Sequence, residues 1–469
     1  MYIVILGAGR IGYQLARQLI DEGKNVALIE SDKDTARDVL ARLDCLVVNE
    51  NGTSLEALKK AGIQKADAFV SVTEFDEVNM IACGLVSSEF EKPVTIARVK
   101  NVDYSRTKLL AYPFLGIDYI INPEIEAAKA ILRSVENGAR SDVMLFDNKT
   151  FQIRDLVIGS DSLFLGRPLQ ELRQEFKYEF LVAVILRDNY YIIPTGTTTF
   201  NENDKVYILS TEEGLKHIFE REKQDHRDFD RIVLVGGGTV GTYVADGLIQ
   251  EDKEDGSFME KFKSLTSRAG RKKGSNLHII DKNYDKCKVL AERYPNALVT
   301  CEDVTDEGIL EQMKLRHKDL IITTTNSQEM NVMTSVYAKA LGVGGAISLV
   351  TRKNYRHIAH RLNLDVTISR NTTMVNSILK IIRHGNIKNV HAISEGTLEV
   401  IEFSLDKESA VLGKPLKEIK LPKNTLVLFL TRGEDTIFAH GDMVLNKNDH
   451  VVILTERESI QQIERMIAG

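Results

Sequence analysis

The stretch "VILGAGRIG", residues 4–12, decides the fold of the first half of the chain. An apolar run leads into Gly7, Gly9 and Gly12, a spacing typical of the turn between a strand and a helix that binds phosphate. The first glycine permits the turn, the second lets backbone N–H groups approach a phosphate, and the third lets helix and strand pack closely. Because that phosphate would lie at the positive end of the helix dipole, the stretch predicts a nucleotide-binding unit.

The pattern occurs again as "VLVGGGTVG", residues 233–241. Here the corresponding glycines are Gly236, Gly238 and Gly241. Each unit also has an acid at the end of its second strand, Glu30 in "NVALIE" and Asp281 in "LHIID". A carboxylate at this place can accept hydrogen bonds from the ribose hydroxyls and would repel a 2'-phosphate. The sequence therefore favours NAD or an adenine mononucleotide over NADP.

The rest of the chain indicates a duplication. Apolar β-branched runs alternate with helical segments up to about residue 140, which predicts an α/β, doubly wound parallel sheet, and a turn-rich module follows. "LGRPLQEL" (165–172) then returns as "LGKPLKEI" (412–419). We therefore expect two Rossmann-like sheets, each followed by a small α+β module. The expected parts are residues 1–139, 140–222, 230–389 and 390–469.

An insertion at 251–275 interrupts the third part. It is acidic at one end and basic at the other, which is typical of a surface loop; a contact with a partner or with lipid headgroups is the alternative.

Composition excludes several classes of protein. A net charge of -6 gives no basic face for nucleic acid. No window approaches 18 consecutive apolar residues, so any role at a membrane would be peripheral. The four cysteines lack CxxC spacing and are expected to be reduced thiols.

Catalytic equipment is also missing. Hydride transfer needs a positioned acid or base, and the first histidine of the chain is His217, beyond the first nucleotide unit. Some pairs have catalytic or metal-binding spacing but no supporting context: Tyr104–Lys108, Tyr284–Lys288 and His357–His360. We expect neither an enzyme nor a metal site.

Several segments resemble the RCK (KTN) regulatory domains. "EALKKAGIQKADAFVSVTEFDEVNMIA" (56–82) is similar to a characteristic stretch of these domains, and "TIARV" (95–99) is similar to the strand that follows it. The β-rich modules resemble the RCK C-terminal domain. The resemblance covers the chain apart from 220–230 and 251–275.

The resemblance implies a cytosolic, nucleotide-sensing regulatory subunit on the inner face of the plasma membrane. Such a subunit binds NAD or NADH, alternatively ATP/ADP, and forms a homo-oligomeric, tetrameric ring that gates a separate Trk-type potassium-translocating membrane subunit. Two other hypotheses stay open: an NAD-dependent oxidoreductase, and a structural tether with empty nucleotide sites.

The resemblance also assigns site residues. In the first copy the phosphate loop is expected at Gly7, Ala8, Gly9, Arg10, Ile11 and Gly12, and the ribose-binding acid at Glu30. The turn after the third strand is expected to contribute Asn51 and Thr53, and the adenosine side Thr73 and Glu74. The phosphate-binding arginine is expected at Arg98. The same places in the second copy are expected at Gly236, Gly237, Gly238, Thr239, Val240, Gly241, Asp281, Asp303, Thr325, Asn326 and Arg352. Thr239 replaces Arg10, and Gln328 replaces the acid Asp76, so a different preference or a degenerate second site is expected.

Overall fold

The computed structural model describes most of the chain. The described residues are 1–101, 104, 114–136, 138–139, 144–146, 150–188, 190–222, 229–249, 276–306, 308–352, 355, 358–359, 361–362, 364–382, 387–393, 397–405, 409 and 411–468. The insertion 251–275, Lys108, His357 and His360 lie outside them.

The first part is a parallel sheet with helices in the connections. Its described strands are β1 (Tyr2–Leu6), β2 (Asn25–Ile29), β3 (Leu46–Val48), β4 (Ala68–Ser71), β5 (Val94–Arg98) and β6 (Tyr119–Ile121). Its helices are α1 (Arg10–Asp21), α2 (Lys33–Leu40), α3 (Leu55–Lys60), α4 (Asp76–Glu89) and α5 (Pro123–Glu136). The strand order is β3-β2-β1-β4-β5-β6. The order reverses between β1 and β4, so the end of β1 lies at the switch point where such sheets bind ligands.

A small antiparallel sheet follows. It contains β7 (Met144–Leu145), β8 (Phe151–Val157), β9 (Leu181–Arg187), β10 (Tyr190–Ile192) and β11 (Lys205–Thr211), with helices α6 (Leu169–Glu175) and α7 (Glu212–Arg221). Its strand order is β10-β9-β11-β8-β7.

The second parallel sheet repeats the first. Its strands are β12 (Arg231–Val235), β13 (Leu277–Asp281), β14 (Leu298–Cys301), β15 (Asp319–Thr323), β16 (Gly345–Val350) and β17 (Val366–Ser369). The helices are α8 (Thr239–Leu248), α9 (Tyr284–Arg293), α10 (Ile309–Gln312), α11 (Gln328–Ala340) and α12 (Arg370–Ile382). The order β14-β13-β12-β15-β16-β17 matches the first sheet strand for strand.

A second antiparallel sheet ends the chain. It comprises β18 (Ile387–Ile393), β19 (Leu398–Ser404), β20 (Leu426–Arg432), β21 (Asp435–Phe438) and β22 (His450–Glu456), followed by helix α13 (Ile460–Ala468). The order β18-β19-β22-β20-β21 is that of the first small sheet. The expected α/β fold with a duplicated Rossmann-like sheet and α+β module is confirmed.

The chain divides into two compact units that combine like parts. One unit holds residues 1–141 and 227–379, and the other holds 142–226 and 380–469. The boundaries that the sequence suggests for four separate parts stay a prediction.

In the unit of parallel sheets, the two copies share a core. Helix α5 of the first copy packs on α8 of the second so closely that a Cβ added to Gly247 would lie 2.3 Å from Leu132 Cδ1. Leu132 and Val244 belong to one buried cluster of apolar side chains. The two final helices also meet, since Ser377 Oγ donates to Glu126 Oε2 at 2.6 Å. Neither copy buries its apolar surface alone.

The unit of antiparallel sheets is built in the same way. Phe151 of the first sheet meets Phe429 of the second edge to face, with ring centroids 5.2 Å apart. At its edge the Tyr191 hydroxyl donates to the Glu456 carboxylate. The two small sheets therefore also share one core.

Candidate functional site

The first glycine loop is shaped for a ligand. Gly7 has φ +97°, a left-handed conformation that favours glycine. A Cβ on Gly12 would lie 1.9 Å from Gly7 O, so the helix packs directly on the turn. A Cβ on Gly9 would meet no described atom within 4 Å. The space above Gly9 is therefore open, as a bound phosphate requires. The other loop residues are Ala8 and Ile11, which are buried, and Arg10, which is exposed.

The second loop has the same geometry. Gly236 has φ +102°, and a Cβ on Gly241 would lie 1.9 Å from Gly236 O. Gly238 again faces open space among the described residues. One difference is local: a Cβ on Gly237 would lie 2.3 Å from Leu290 Cδ1. The first copy has alanine at this place, and α2 has the smaller valine, Val39, where α9 has Leu290. Of the remaining predicted residues, Val240 is buried and Thr239 begins α8.

The strand-end acids bridge the glycine loop and the following helix. Glu30 Oε2 accepts from Ala8 N at 2.7 Å, and its Oε1 accepts from Asp32 N at 2.9 Å. Asp281 repeats both contacts, with Gly237 N at 2.8 Å and Asn283 N at 2.9 Å. Glu30 Oε1 also accepts from Ser31 Oγ at 3.4 Å. A carboxylate has about four lone-pair positions, so each acid can still accept from a ribose hydroxyl.

A buried asparagine holds the threonine that is predicted for the adenosine side of each site. Asn79 is fully buried, and its Oδ1 accepts from Thr73 N at 2.9 Å and from Thr73 Oγ1 at 2.8 Å. Asn331 makes the same two contacts with Thr325, at 2.9 and 2.6 Å. Neither asparagine is among the site residues that the sequence predicts. Their one signal is a polar residue on the apolar face of a helix.

The turn after the third strand is closed internally in both copies. Asn51 Oδ1 accepts from Thr53 N at 3.0 Å, and Asp303 Oδ1 accepts from Thr305 N at 3.1 Å. The hydrogen bonds from Thr305 lower the pKa of Asp303. The second Asp303 oxygen lies 3.4 Å from Lys282 Nζ. Neighbouring Glu74 and Asn326 are exposed at the same edge, as a ligand contact requires.

The arginine assignment differs between the copies, and the expected equivalence of Arg98 and Arg352 is wrong. Asn79 Nδ2 donates to Arg98 O at 2.9 Å, and Asn331 Nδ2 donates to Leu349 O at the same distance. Leu349 therefore occupies the place of Arg98, and Arg352 lies three residues later, exposed at the surface. The second copy has no arginine at this strand position.

Gln328 explains how the second copy keeps its fold without the acid. Asp76 Oδ2 accepts from Lys100 N at 2.9 Å and from Asn101 N at 2.7 Å. Gln328 Oε1 accepts from the two corresponding backbone groups, including Arg352 N at 3.0 Å. The replacement preserves both hydrogen bonds and removes one negative charge.

A cluster of charges adjoins the first site. Arg98 Nη1 donates to Thr73 O at 3.0 Å, and burial lowers the pKa of Arg98, with Glu124 the first carboxylate to oppose the effect. Glu124 Oε1 lies 3.7 Å from Arg370 Nη1 of the second copy. Among the described residues, Nε of both arginines and Oε2 of Glu124 are buried without a hydrogen-bond partner. The sequence reading missed Glu124 and Arg370, which no motif marks.

Two other expectations concern absences. Within the described ranges there is no group of three or more His, Cys, Asp or Glu side chains that could hold a metal ion. Among the helices described, none has the length and apolar character needed to cross a membrane. Tyr284, of one Tyr-x-x-x-Lys string, is 73% exposed and faces solvent.

Comparison with known sequences identifies related proteins. The TrkA-N domain model matches residues 3–123 and 263–370, and the TrkA-C domain model matches 153–222 and 400–468. The chain is 30% identical to the Trk system potassium uptake protein TrkA of Halomonas elongata, over 99% of this chain and 98% of that protein. It is 28% identical to the protein of the same name from Vibrio alginolyticus, over 99% and 98%.

Comparison with solved structures supports the fold. The GsuK channel superposes with a TM-score of 0.55 at 16% identity, over 100% of this chain and 79% of that chain. The GsuK channel bound to NAD gives a TM-score of 0.53 at 15% identity, with the same coverage. The 30% identity over nearly the full length, the tandem matches to two domain models and the duplicated architecture all point to one family. The chain belongs to the TrkA family.

Proposed function

We propose that the chain is the cytosolic, nucleotide-sensing regulatory subunit of a Trk-type potassium uptake system. It gates a separate potassium-translocating membrane subunit through ligand-dependent conformations of a homo-oligomeric ring on the inner face of the plasma membrane. The observation that carries the proposal is the pair of glycine loops, each with a bridging acid, inside one unit whose core the two copies share.

In the first site the ligand's phosphates lie over Gly9 and face Arg98, and its ribose binds Glu30. The adenosine side lies between Thr73, Glu74 and the turn at Asn51 and Thr53. The negative charge of Glu30 favours NAD or NADH, with ATP/ADP as the alternative ligands. In the second site, Gly238 and Asp281 take the corresponding parts.

The second site is the weaker one for phosphate. It has Leu349 in place of the strand arginine, and Thr239 in place of Arg10. Arg352 can contribute only from the exposed segment after β16. Since a fixed cation contributes about 1.5–3 kcal/mol through a charged hydrogen bond, the two sites differ most for the more highly charged nucleotides.

A nucleotide acts as a switch only through differential affinity. A ligand that binds two ring conformations equally shifts neither, and each tenfold preference contributes about 1.4 kcal/mol. Helix α5 connects the edge of the first sheet, where the ligand would bind, to the second copy. Asn122 caps it at the carboxyl edge of the first sheet, accepting from Glu124 N at 2.9 Å, and the helix then packs on α8 of the second copy.

Assembly with further copies is supported by exposed apolar side chains at matching places. Ile81 of α4 is 51% exposed, and Met333, its counterpart in α11, is 63% exposed. Two such positions per chain suit a closed ring of repeated contacts. Four chains would present eight parallel-sheet domains to the membrane subunit.

The test uses the open space at the second glycine of each loop. An alanine at position 9 or 238 meets no described atom, so Gly9→Ala and Gly238→Ala should fold normally and obstruct only the ligand. Calorimetric titration with NADH, NAD, ATP and ADP should show two classes of site in the wild type. Each variant should lose one class by at least tenfold, and the double variant should lose both.

Transport then tests the switch. Rubidium flux into vesicles that contain the membrane subunit should respond to nucleotide with the wild type and not with the double variant. Flux unaffected by every nucleotide would overturn the proposal. Sustained NADH production from NAD and a metabolite panel would favour the oxidoreductase. If no adenine nucleotide raised the melting temperature, the tether would be favoured, because a saturating ligand should stabilise by about 2–4 kcal/mol.

A further inference from the structure

Two cysteines meet beside the acid of the second site. Cys287, in α9, is buried, and its Sγ donates to Asp281 O at 3.1 Å and to Thr300 O at 3.8 Å. Cys301 is exposed and pairs directly with Asp281 across β13 and β14. Its Sγ donates to Lys282 O at 3.9 Å. Burial and, next, the neighbouring thiol of Cys301 raise the pKa of Cys287.

The first copy shows that the fold does not need this sulfur. Helix α2 has Ala36 where α9 has Cys287, as the matching capping bonds of Asp32 and Asn283 establish. The place of Cys301 is taken by Asn49, whose Nδ2 donates to Glu30 O at 2.8 Å. The sulfur pair is therefore a property of the second copy alone.

We infer that Cys287 and Cys301 are a modification site, a dithiol that low-molecular-weight disulfides such as oxidised glutathione convert to an intramolecular disulfide at the edge of the second nucleotide site. Cys287 Sγ contacts the carbonyl of Thr300, the residue before Cys301, and the carbonyl of Asp281, the strand partner of Cys301. Helix α9 therefore presents its sulfur to the end of the strand that carries the second thiol, where a disulfide can form without rearrangement of the sheet.

Exposure sets the order of events. The thiolate of Cys301 attacks one sulfur of the oxidised glutathione, which breaks that S–S bond, forms a mixed disulfide and releases one reduced glutathione. Cys287 then attacks the Cys301 sulfur and releases the second. The two protein thiols lose two electrons in total, the oxidant gains them, and the thiol protons end on the released glutathione molecules. Burial raises the pKa of Cys287 to about 11, so the second step should quicken as pH rises.

The consequence for the ligand rests on the proposed function. Cys287 donates to the main-chain carbonyl of Asp281, and the carboxylate of Asp281 accepts from Gly237 N at 2.8 Å. A disulfide removes the S–H donor and tethers α9 to the end of β14. Because Asp281 is held from both sides, oxidation should weaken nucleotide binding at the second site and leave the first unchanged.

The chemistry is tested by equilibrating the full chain in glutathione buffers of increasing oxidation, trapping free thiols with a maleimide and identifying the peptides by mass spectrometry. Peptides with Cys287 and Cys301 linked are expected. The buried Cys83 and half-buried Cys45 of the first copy serve as internal controls and should stay reduced. A lasting glutathione adduct on Cys301, or no linked peptide at any ratio, would overturn the inference.

Substitutions to the residues that the first copy has at these places test the order of the two steps. Cys287→Ala and Cys301→Asn place in the second copy the residues that the first copy has. Cys287→Ala should stop at the mixed disulfide on Cys301, and Cys301→Asn should leave Cys287 unmodified because it is buried. Cys287→Ser provides a second isostere. Modification of Cys287 without Cys301 contradicts the proposed order.

Ligand coupling has its own measurement, in the Gly9→Ala background where only the second site binds. Oxidised protein should bind NADH at least threefold more weakly than reduced protein. A reductant should restore the affinity, and Cys301→Asn, in which Cys287 stays unmodified, should be insensitive to oxidation. Equal affinity in both states overturns the coupling. If the reduced protein binds no nucleotide in this background, the coupling fails; the proposed function is judged by binding at the first site in the Gly238→Ala background, and the dithiol by the linked peptide alone.

Discussion

Leu349 occupies in the second copy the place that Arg98 occupies in the first. The main-chain carbonyl of each accepts a hydrogen bond at 2.9 Å from a buried asparagine, Asn331 or Asn79. Since the two backbones coincide, the difference between the sites lies in the side chain, an arginine fork against a buried leucine. The two copies share one scaffold and place different charges at the predicted phosphate site.

Replacing that arginine should affect only the first site. We expect Arg98→Leu to weaken NADH binding there by about 10- to 100-fold, the loss of one charged hydrogen bond. Calorimetry in the Gly238→Ala background isolates this site. Arg352→Ala, measured in the Gly9→Ala background, should change affinity by less than about twofold. A large loss from Arg352→Ala would instead show that the exposed segment after β16 folds over the ligand.

Each buried asparagine should contribute more to the free energy of unfolding than any exposed residue of the site. Asn79→Ala leaves the Ser71 hydroxyl and the Thr73 N–H without their acceptor, while the Thr73 O–H keeps Phe75 O, so we expect a loss of about 3 kcal/mol in the free energy of unfolding. Asn331→Ala should cost a similar amount in the second copy. Urea denaturation measures both, and Ser88→Ala, at an exposed hydroxyl, should stay within about 0.5 kcal/mol. A loss below about 1 kcal/mol would contradict this role.

Packing between the copies can be measured at Gly247 and Leu132. Gly247→Val inserts carbon where a Cβ already falls 2.3 Å from Leu132 Cδ1, and we expect a cost of about 1–3 kcal/mol. Leu132→Ala alone should cost about 2–5 kcal/mol through the cavity it leaves. The double variant should cost less than the sum, because the valine fills that cavity. Additive costs would mean that the two side chains do not touch in solution.

Glu136, the last residue of α5, should make stability depend on pH. Burial raises its pKa to about 7, above the ordinary 4.5. The folded chain therefore keeps a proton that the unfolded chain releases, so this contribution is fully present below pH 4.5 and is lost as pH rises through 7. Relative to wild type, Glu136→Gln should gain about 1–2 kcal/mol at pH 8, after allowance for partial exposure, and nothing near pH 4.

Urea denaturation of both proteins across this pH range is the measurement. Glu89→Gln is the matched control, since Glu89 is an exposed glutamate at the last residue of α4. An equal gain from the two variants would mean that lost surface charge, and not burial, is responsible.

The sequence was sufficient for the parts of the site that local geometry determines. A glycine that must turn or pack closely, and an acid at a strand end, are visible as spacing, and Gly7, Gly12 and Glu30 lie where that spacing predicts. Arg352 was misplaced because the copies differ in length between helix and strand: Asn79 and Arg98 are 19 residues apart, and Asn331 and Leu349 are 18. The segment from the buried asparagine to this strand position is one residue shorter in the second copy. The prediction therefore assigned the role of Arg98 to the next arginine along the chain, Arg352.

Contacts between the copies were beyond the sequence for another reason. Apolar periodicity shows that α5 has a buried face but not which surface buries it, and α8 has the same kind of face. Glu124 and Arg370 are 246 positions apart by their numbers and meet only because the last helices of the two copies, α5 and α12, lie against each other. Their pairing follows from tertiary structure alone.

The shared core has a consequence for how such a chain could have arisen. A half-length ancestor with only one parallel sheet would have left unburied the two helix surfaces that correspond to those of α5 and α8. It could have covered them only by pairing with a second molecule like itself. Joining two halves end to end makes that association independent of protein concentration. It also allows the sequences of the two halves to diverge, so that one half can have an arginine where the other has a leucine, and only one half has the pair of thiols. Joining two copies in one chain permits the two predicted nucleotide sites to differ while they share one core.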